Sequence, residues 1–220
     1  MTNNWGVIIY GAKTPRVGGG GHGKVVADIL EQAGSTIYCF IDDDPECHKK
    51  EFCGYEILGG REKLPELYSA GFRTVVIAIG SNAARKQLSE IIADAGFGFV
   101  TAIHPKAVIA RSARIGAGTV VAACAVVNPD ARIGEHCIIN TAAVVEHDNV
   151  IGSFVHIAPG ACLGGRVSIG DGSNVFTNAT VLPDISVGKN CIIGAGAVVL
   201  RDVPDGVTVV GNPALVLEKK

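Results

Sequence analysis

Residues 139–169 read INTAAV VEHDNV IGSFVH IAPGAC LGGRVS I, and each block of six opens on an aliphatic: Ile139, Val145, Ile151, Ile157, Leu163 and Ile169. The same step runs back through Ile133, Val127, Val121, Ile115 and Ile109 to Ile103. Forward, it passes Val175, Val181, Val187 and Ile193 to reach Val199, seventeen positions in all without an exception. A period of six suits neither the 3.6-residue turn of a helix nor the two-residue alternation of one long strand. It is the repeat of a parallel β-helix.

Each position in the repeat has a physical task. One bulky aliphatic per block points into a narrow interior. Four residues later stands a mostly small residue such as Ala107, Ala113, Thr119, Ala125, Cys137, Ala143 or Asn149, so large and small inward side chains alternate and fill the core. Gly116, Gly134, Gly152, Gly170, Gly188 and Gly194 follow the aliphatic directly and read as corners where a positive φ is useful. Three blocks per triangular coil give about five and a half coils stacked roughly 4.8 Å apart.

Composition sets limits. The chain of 220 residues is long enough for two modest cores, and its net charge of −2 with 18% charged residues offers no basic field for nucleic acid or an anionic membrane. No run approaches the ~18 apolar residues of a membrane span, and residues 1–10 lack a signal-peptide pattern, so no membrane insertion and a cytoplasmic location are expected. Seven cysteines without a C-x-x-C read as reduced packing residues.

The N-terminal part alternates short apolar runs (residues 6–10, 36–41 and 74–79) with helical spacing (24–33, 61–70 and 82–95). This argues for a small parallel, Rossmann-like α/β sheet. The domains are expected at 1–102 and 103–220, with the boundary near His104-Pro105. Between the first run and the first helix lies Gly18-Gly19-Gly20-Gly21-His22-Gly23. Gly18, Gly20 and Gly23 satisfy G-x-G-x-x-G, with Asp42 about twenty residues on. The same residues through Lys24 mimic a P-loop, but Val25 occupies the place of its Ser or Thr, which rejects an NTPase. Two readings stay open beside the dinucleotide one: a nucleotide-sugar pocket at a helix N-terminus, and a tight turn with no ligand.

A Gly-rich loop ending in Gly-His, the run Asp42-Asp43-Asp44-Pro45 after the second strand, and hexapeptides carrying Glu146-His147-Asp148 together resemble the sialic acid O-acetyltransferase (NeuD) family. The likeness is strongest to its branch of PglD-like nucleotide-linked 4-aminosugar N-acetyltransferases, and it covers nearly the whole chain. It implies a left-handed β-helix, where the general rule for parallel crossovers would give a right-handed one. It also implies acetyl-CoA on the β-helix, a nucleotide-linked aminosugar on the N-terminal domain, and a homotrimer with active sites between subunits.

Carried over by motif, the resemblance makes His147 the catalytic base and Asp148 the acid that modulates it. His156 becomes the second histidine near the acetyl group, Asn140 and Gly165 acetyl-CoA contacts, and Gly21, His22, Asp42 and Asp43 the sugar-nucleotide side. Two departures stand out. Lys13-Thr14-Pro15-Arg16-Val17 intervenes between the first strand and the glycines, and Leu215 occupies a place where the family commonly has a basic residue.

The chemistry of His147 stands without the family. Acetyl transfer needs a group that takes a proton as the thioester carbonyl is attacked, and a histidine beside a carboxylate suits that task. His156, nine residues on, falls half a coil away, about 12 to 15 Å across the column on strand geometry. Both can serve one substrate only if they come from different chains. Cys124 and Cys162 have no activating partner in sequence, so direct transfer without an acyl-enzyme is expected. A zinc reading of His136, His147 and His156 is set aside on their spacing, and no metal is expected. The expected activity is N-acetylation of a nucleotide-linked 4-amino-deoxysugar. The alternatives are O-acetylation of sialic acid and, from another class, a non-catalytic sugar-nucleotide scaffold.

Overall fold

The computed structural model describes residues 6–11 and 20–217. Residues 13–17 and Gly18 lie outside the described residues. The chain divides into two compact units, Met1–Pro105 and Lys106–Lys220.

The first unit is a parallel sheet, as the alternating pattern predicts. Its strands are β1 (Val7–Tyr10), β2 (Ile37–Ile41), β5 (Thr74–Ile77) and β6 (Gly98–Phe99), in the order β2-β1-β5-β6. Helix α1 (Gly21–Gln32) buries Val26, Ile29 and Leu30 of the stripe its spacing announced, with Ala27 beside them, while Val25 is exposed. It begins at Gly21, earlier than expected, so His22 and Gly23 belong to its first turn. The expected helix at 61–70 is a 3₁₀ turn, Arg61–Lys63, running into α2 (Leu64–Ser69), with Pro65 in the first turn where its missing N–H costs nothing. Helix α3 spans Asn82–Asp94. A small hairpin, β3 (Glu51–Phe52) with β4 (Tyr55–Glu56), was not foreseen, because its strands are too short to show an alternation.

The sheet order places the change of direction between β1 and β5, and open α/β sheets take ligands beyond the carboxyl ends of the strands at that point. Gly11 follows β1 there with φ +109°. A Cβ on it would lie 2.7 Å from Ile79 Cγ1, so only glycine lets the two strands leave the sheet so close together.

The second unit is a β-solenoid. Two-residue strands stack in three parallel sheets whose partners lie eighteen residues apart, as in Val126↔Val144↔Cys162, Arg132↔Val150↔Ser168 and Ile138↔His156↔Asn174. The inward aliphatics from Val121 to Val199 are buried, as are the small residues four places later, including Thr119, Asn149 and Ser173. The last coil is two residues short, pairing Ile192 with Thr208, and it ends in an antiparallel hairpin of Thr208–Val210 and Leu215–Val216.

The corners differ from expectation in an instructive way. The glycines at 116, 134, 152, 170 and 188 do not take positive φ. The left-handed residue comes two places later and is mostly not glycine: His136, Ala142, Asp148, Phe154, Arg166, Asn178, Asp184 and Asn190 have φ between 53° and 64°. That conformation costs about 1 kcal/mol or more per residue. It turns each N–H along the column axis, where it reaches the coil before: His136 to Ala117 O at 2.9 Å, Asp148 to Pro129 O at 3.1 Å, Arg166 to His147 O at 3.0 Å. The glycines serve close stacking instead. A Cβ on Gly134 would lie 2.7 Å from the carbonyl carbon of Gly152 in the next coil.

Gly134→Ala is therefore expected to destabilise the solenoid by about 1–3 kcal/mol through overpacking, read as a lower urea midpoint. A midpoint equal to that of the parent chain would contradict the stacking role.

Candidate active site

His147 and Asp148 are the central residues of one corner, between the strands Val144–Val145 and Val150–Ile151. The hydrogen bond from Asp148 N–H to the preceding coil fixes its left-handed backbone, and this aims the carboxylate back at its neighbour. His147 Nδ1 lies 2.8 Å from Asp148 Oδ2. A carboxylate oxygen only accepts, so the ring proton sits on Nδ1 and the lone pair of the neutral imidazole is on Nε2. Both side chains are about half exposed, at 48% and 54%. A base reachable by a substrate needs that exposure.

Gly165, eighteen residues on, lies against the far edge of this ring. A Cβ there would stand 2.6 Å from both His147 Cε1 and Nε2, so the missing side chain is what leaves the basic nitrogen its space. In the same coil Arg166 donates to the carbonyl of His147 and forms a two-pronged pair with Asp184 at 2.6 and 2.8 Å. Hydrogen bonding from Arg166 holds the Asp184 carboxyl below the usual carboxylate range. Sequence reading missed this pair, since the two residues are linked only through the eighteen-residue register.

Asn140 and His156 meet elsewhere on the column. Thr141 N–H donates to Asn140 Oδ1 at 2.8 Å, which orients the amide and leaves Nδ2 facing His156 Nε2 at 3.1 Å. An amide nitrogen only donates, so His156 Nε2 accepts and its proton is on Nδ1. His156 belongs to the stack of Ile138 and Asn174, whereas His147 sits at the corner between the other two stacks. The two histidines thus lie on opposite sides of one column.

On the first unit, Gly20 with φ +76° precedes α1, and Gly21 and His22 form its first turn, which holds no acidic residue. N–H groups there suit an anion. Asp42 is only 3% exposed, and its Oδ1 accepts from Asp44 N–H at 2.9 Å, so it shapes the turn after β2. Asp43 is more exposed but engaged. It takes the hydroxyl of Tyr10 and the backbone N–H (2.9 Å), Nε (3.0 Å) and Nη2 of Arg61. Burial opposes the Asp43 charge, but the bonds from Arg61 and Tyr10 outweigh it and hold the carboxyl below its ordinary value. Burial, followed by the Asp43 bond, pushes the Tyr10 hydroxyl well above the usual phenol range.

Burial, with Glu146 adding to it, raises the Cys162 thiol, which removes thiolate at neutral pH. Among the described residues no group of three His, Cys, Asp or Glu is placed to hold a metal ion. No described helix is long and apolar enough to cross a membrane.

The chain has counterparts among known proteins. The PglD N-terminal domain family matches residues 17–92, and the bacterial transferase hexapeptide family (six repeats) matches residues 166–201. A histidine-to-alanine variant of the GDP-perosamine N-acetyl transferase from Caulobacter crescentus, solved in complex with CoA and GDP-perosamine, is 38% identical. The match covers 98% of each chain with a TM-score of 0.92. The acetyltransferase domain of PglB from Neisseria gonorrhoeae, in complex with acetyl coenzyme A, is 38% identical over 96% of this chain and 98% of that one, with a TM-score of 0.87. The UDP-N-acetylbacillosamine N-acetyltransferase of Bacillus subtilis is 43% identical over 110 residues, spanning 46% of this chain and 47% of that protein.

The Asp43 cluster makes a pH prediction. A carboxyl whose folded pKa is depressed adds stability above its unfolded value near 3.9, and the gain is lost as pH falls through the folded value. Because the side chain is 37% exposed, the gain is no more than about 1 kcal/mol. Asp43→Asn is expected to be less stable than the parent near pH 7, with the gap closing below about pH 4. A gap that stays constant from neutral to acid pH would contradict it.

Proposed function

The chain belongs to the hexapeptide-repeat family of nucleotide-sugar N-acetyltransferases, and on that premise we propose that it transfers the acetyl group of acetyl-CoA to the amine of a nucleotide-linked 4-amino-deoxysugar. The observation that carries the reading is the His147 corner, with a carboxylate on Nδ1, the lone pair on Nε2 and a glycine clearing the space beside it.

In the proposed reaction the free amine attacks the thioester carbonyl, a C–N bond forms, and the carbonyl π pair moves to oxygen. His147 Nε2 takes the proton that the amine loses. The Asp148 carboxylate stabilises the resulting imidazolium and keeps the ring from turning. Collapse of the tetrahedral intermediate breaks the C–S bond, and the imidazolium returns its proton to the leaving thiolate. The products are the N-acetyl sugar nucleotide and CoA. Asn140 and His156 form the acetyl-CoA side, with His156 held in one tautomer by the Asn140 amide. The first turn of α1, with Gly21 and His22, takes the diphosphate. Asp42 and Asp43 shape the neighbouring wall, Asp42 through its turn and Asp43 through Arg61. The nucleotide and the sugar were left open by the sequence, and the related enzymes differ in both.

Because His147 and His156 lie on opposite sides of one column, one substrate meets both only where two copies abut. This supports a homotrimer with sites between neighbours. Sugar nucleotides and acetyl-CoA are cytoplasmic metabolites, which puts the proposed reaction in the cytoplasm. N-acetylation is favoured over sialic acid O-acetylation because the GDP-perosamine N-acetyl transferase and the UDP-N-acetylbacillosamine N-acetyltransferase matched above are both named for N-acetyl transfer.

The test is CoA release from acetyl-CoA with a panel of nucleotide-linked 4-amino sugars. His147→Ala is expected to lower kcat about 10²- to 10⁴-fold with little change in acetyl-CoA affinity. Gly165→Ala, which pushes the ring aside, is expected to cost about 10²-fold. Parental turnover in His147→Ala would remove the general base, and no CoA release with any sugar of the panel would leave the scaffold reading in its place.

A further inference from the structure

The inward column beneath the His147 corner contains Ala131, Asn149 and Val167, followed by Ile185. Asn149 is its polar interruption, and it is fully buried at 0% exposure. Its Nδ2 donates to two carbonyls, Glu146 O at 2.7 Å and Gly164 O at 2.9 Å. Glu146 immediately precedes His147. Gly164 immediately precedes Gly165, whose Cα faces the imidazole. One amide therefore ties together the backbone on either side of the basic nitrogen, across two coils.

The same device recurs at another corner in weaker form. Thr119 donates to Gly134 O at 2.9 Å and Ser173 to Gly188 O at 2.7 Å, each bridging to the carbonyl fifteen residues on, as Asn149 does to Gly164. Those hydroxyls also accept from backbone N–H groups, of Cys137 and Cys191, so the oxygen is satisfied. Asn149 adds a second donated bond, to the carbonyl before His147. Its Oδ1, by contrast, is buried with no hydrogen-bond partner among the described residues. A buried acceptor left without a partner is a net cost, so this amide is a poor choice for stability alone. It is a good choice for holding two carbonyls at a fixed separation.

We propose that Asn149 is a positioning residue for His147: its buried amide clamps the carbonyls of Glu146 and Gly164 so that the imidazole keeps Nδ1 on Asp148 and Nε2 over Gly165. This rests on the general-base reading of His147 and adds a residue that touches neither substrate. Without the clamp the corner relaxes between coils, the Nδ1 contact lengthens, and the ring samples its other tautomer and rotamer.

The test combines a spectroscopic and a kinetic readout on the full chain. In protein labelled with ¹⁵N-histidine, with His147 assigned by its disappearance in His147→Ala, the parent is expected to show a single neutral form protonated on Nδ1. Asn149→Ala is expected to show a mixture of tautomers, and Asn149→Thr, which restores only the link to Gly164, an intermediate. If the alanine variant fails to fold, the threonine variant carries the comparison, with a second tautomer in smaller amount. With acetyl-CoA and the amino sugar that the panel identifies, Asn149→Ala is expected to lower kcat about 10- to 100-fold, with KM for acetyl-CoA changed less than about threefold. In a His147→Ala background the same substitution is expected to have no further effect, since it acts through a ring no longer present. An unchanged His147 spectrum in Asn149→Ala, or an equal loss in both backgrounds, would overturn the positioning role while leaving the base intact. Parental turnover in His147→Ala would instead overturn the base, and the positioning role with it.

Discussion

The hydrogen bond from the left-handed corner residues between His136 and Gly196 to the carbonyl nineteen residues earlier is what the second unit depends on. Two-residue strands are too short to set a register alone, and a slip of one residue would turn every aliphatic from the core toward water. The corner bonds, with the parallel strand pairs between them, lock the coils at eighteen residues. Their cost is a row of non-glycine residues in an unfavourable backbone conformation. That cost is offset by the hydrogen bonds that the turned N–H groups make to the coil before.

A locked register gives chemistry a fixed frame on the surface of the column. Each side chain has two fixed neighbours, eighteen residues before and after, and the candidate site uses this throughout. Gly165 clears the ring of His147, and Arg166 supports its carbonyl. His156 sits one coil from Ile138 and takes the amide of Asn140. The strained corner at Asp148 is the same feature that aims its carboxylate, so the element that holds the fold also sets the tautomer of His147. One column presents His147 and His156 on opposite sides, and the chemistry proposed for them asks for a second copy.

Much of this was legible in the sequence, and what was not shares one cause. The sixfold repeat is a local pattern, and so are the adjacency of His147 to Asp148 and the alternation of strands and helices in the first unit. Each was read correctly for that reason. The corner glycines were misread because their requirement comes from the next coil: Gly134 is small for the sake of Gly152, not for its own φ. The engagement of the Asp43 carboxylate by Tyr10 and Arg61 was not legible, because those partners come from other elements and carry no mark of the contact in sequence. Asn149 was read as one more small inward residue. Its singular place as a double donor became visible only once residues 146 and 164 were stacked around it.

The claim most exposed to test is that one site is built from two copies of the column, with His147 from one and His156 from its neighbour. Chains carrying His147→Ala and chains carrying His156→Ala, each nearly inactive alone, can be unfolded together, refolded in equal amounts and assayed for acetyl transfer. In the proposed homotrimer, random mixing is expected to restore about a quarter of the parental sites, because that fraction pairs an intact His147 with an intact His156 across an interface. A mixture no more active than its two components would contradict the shared site.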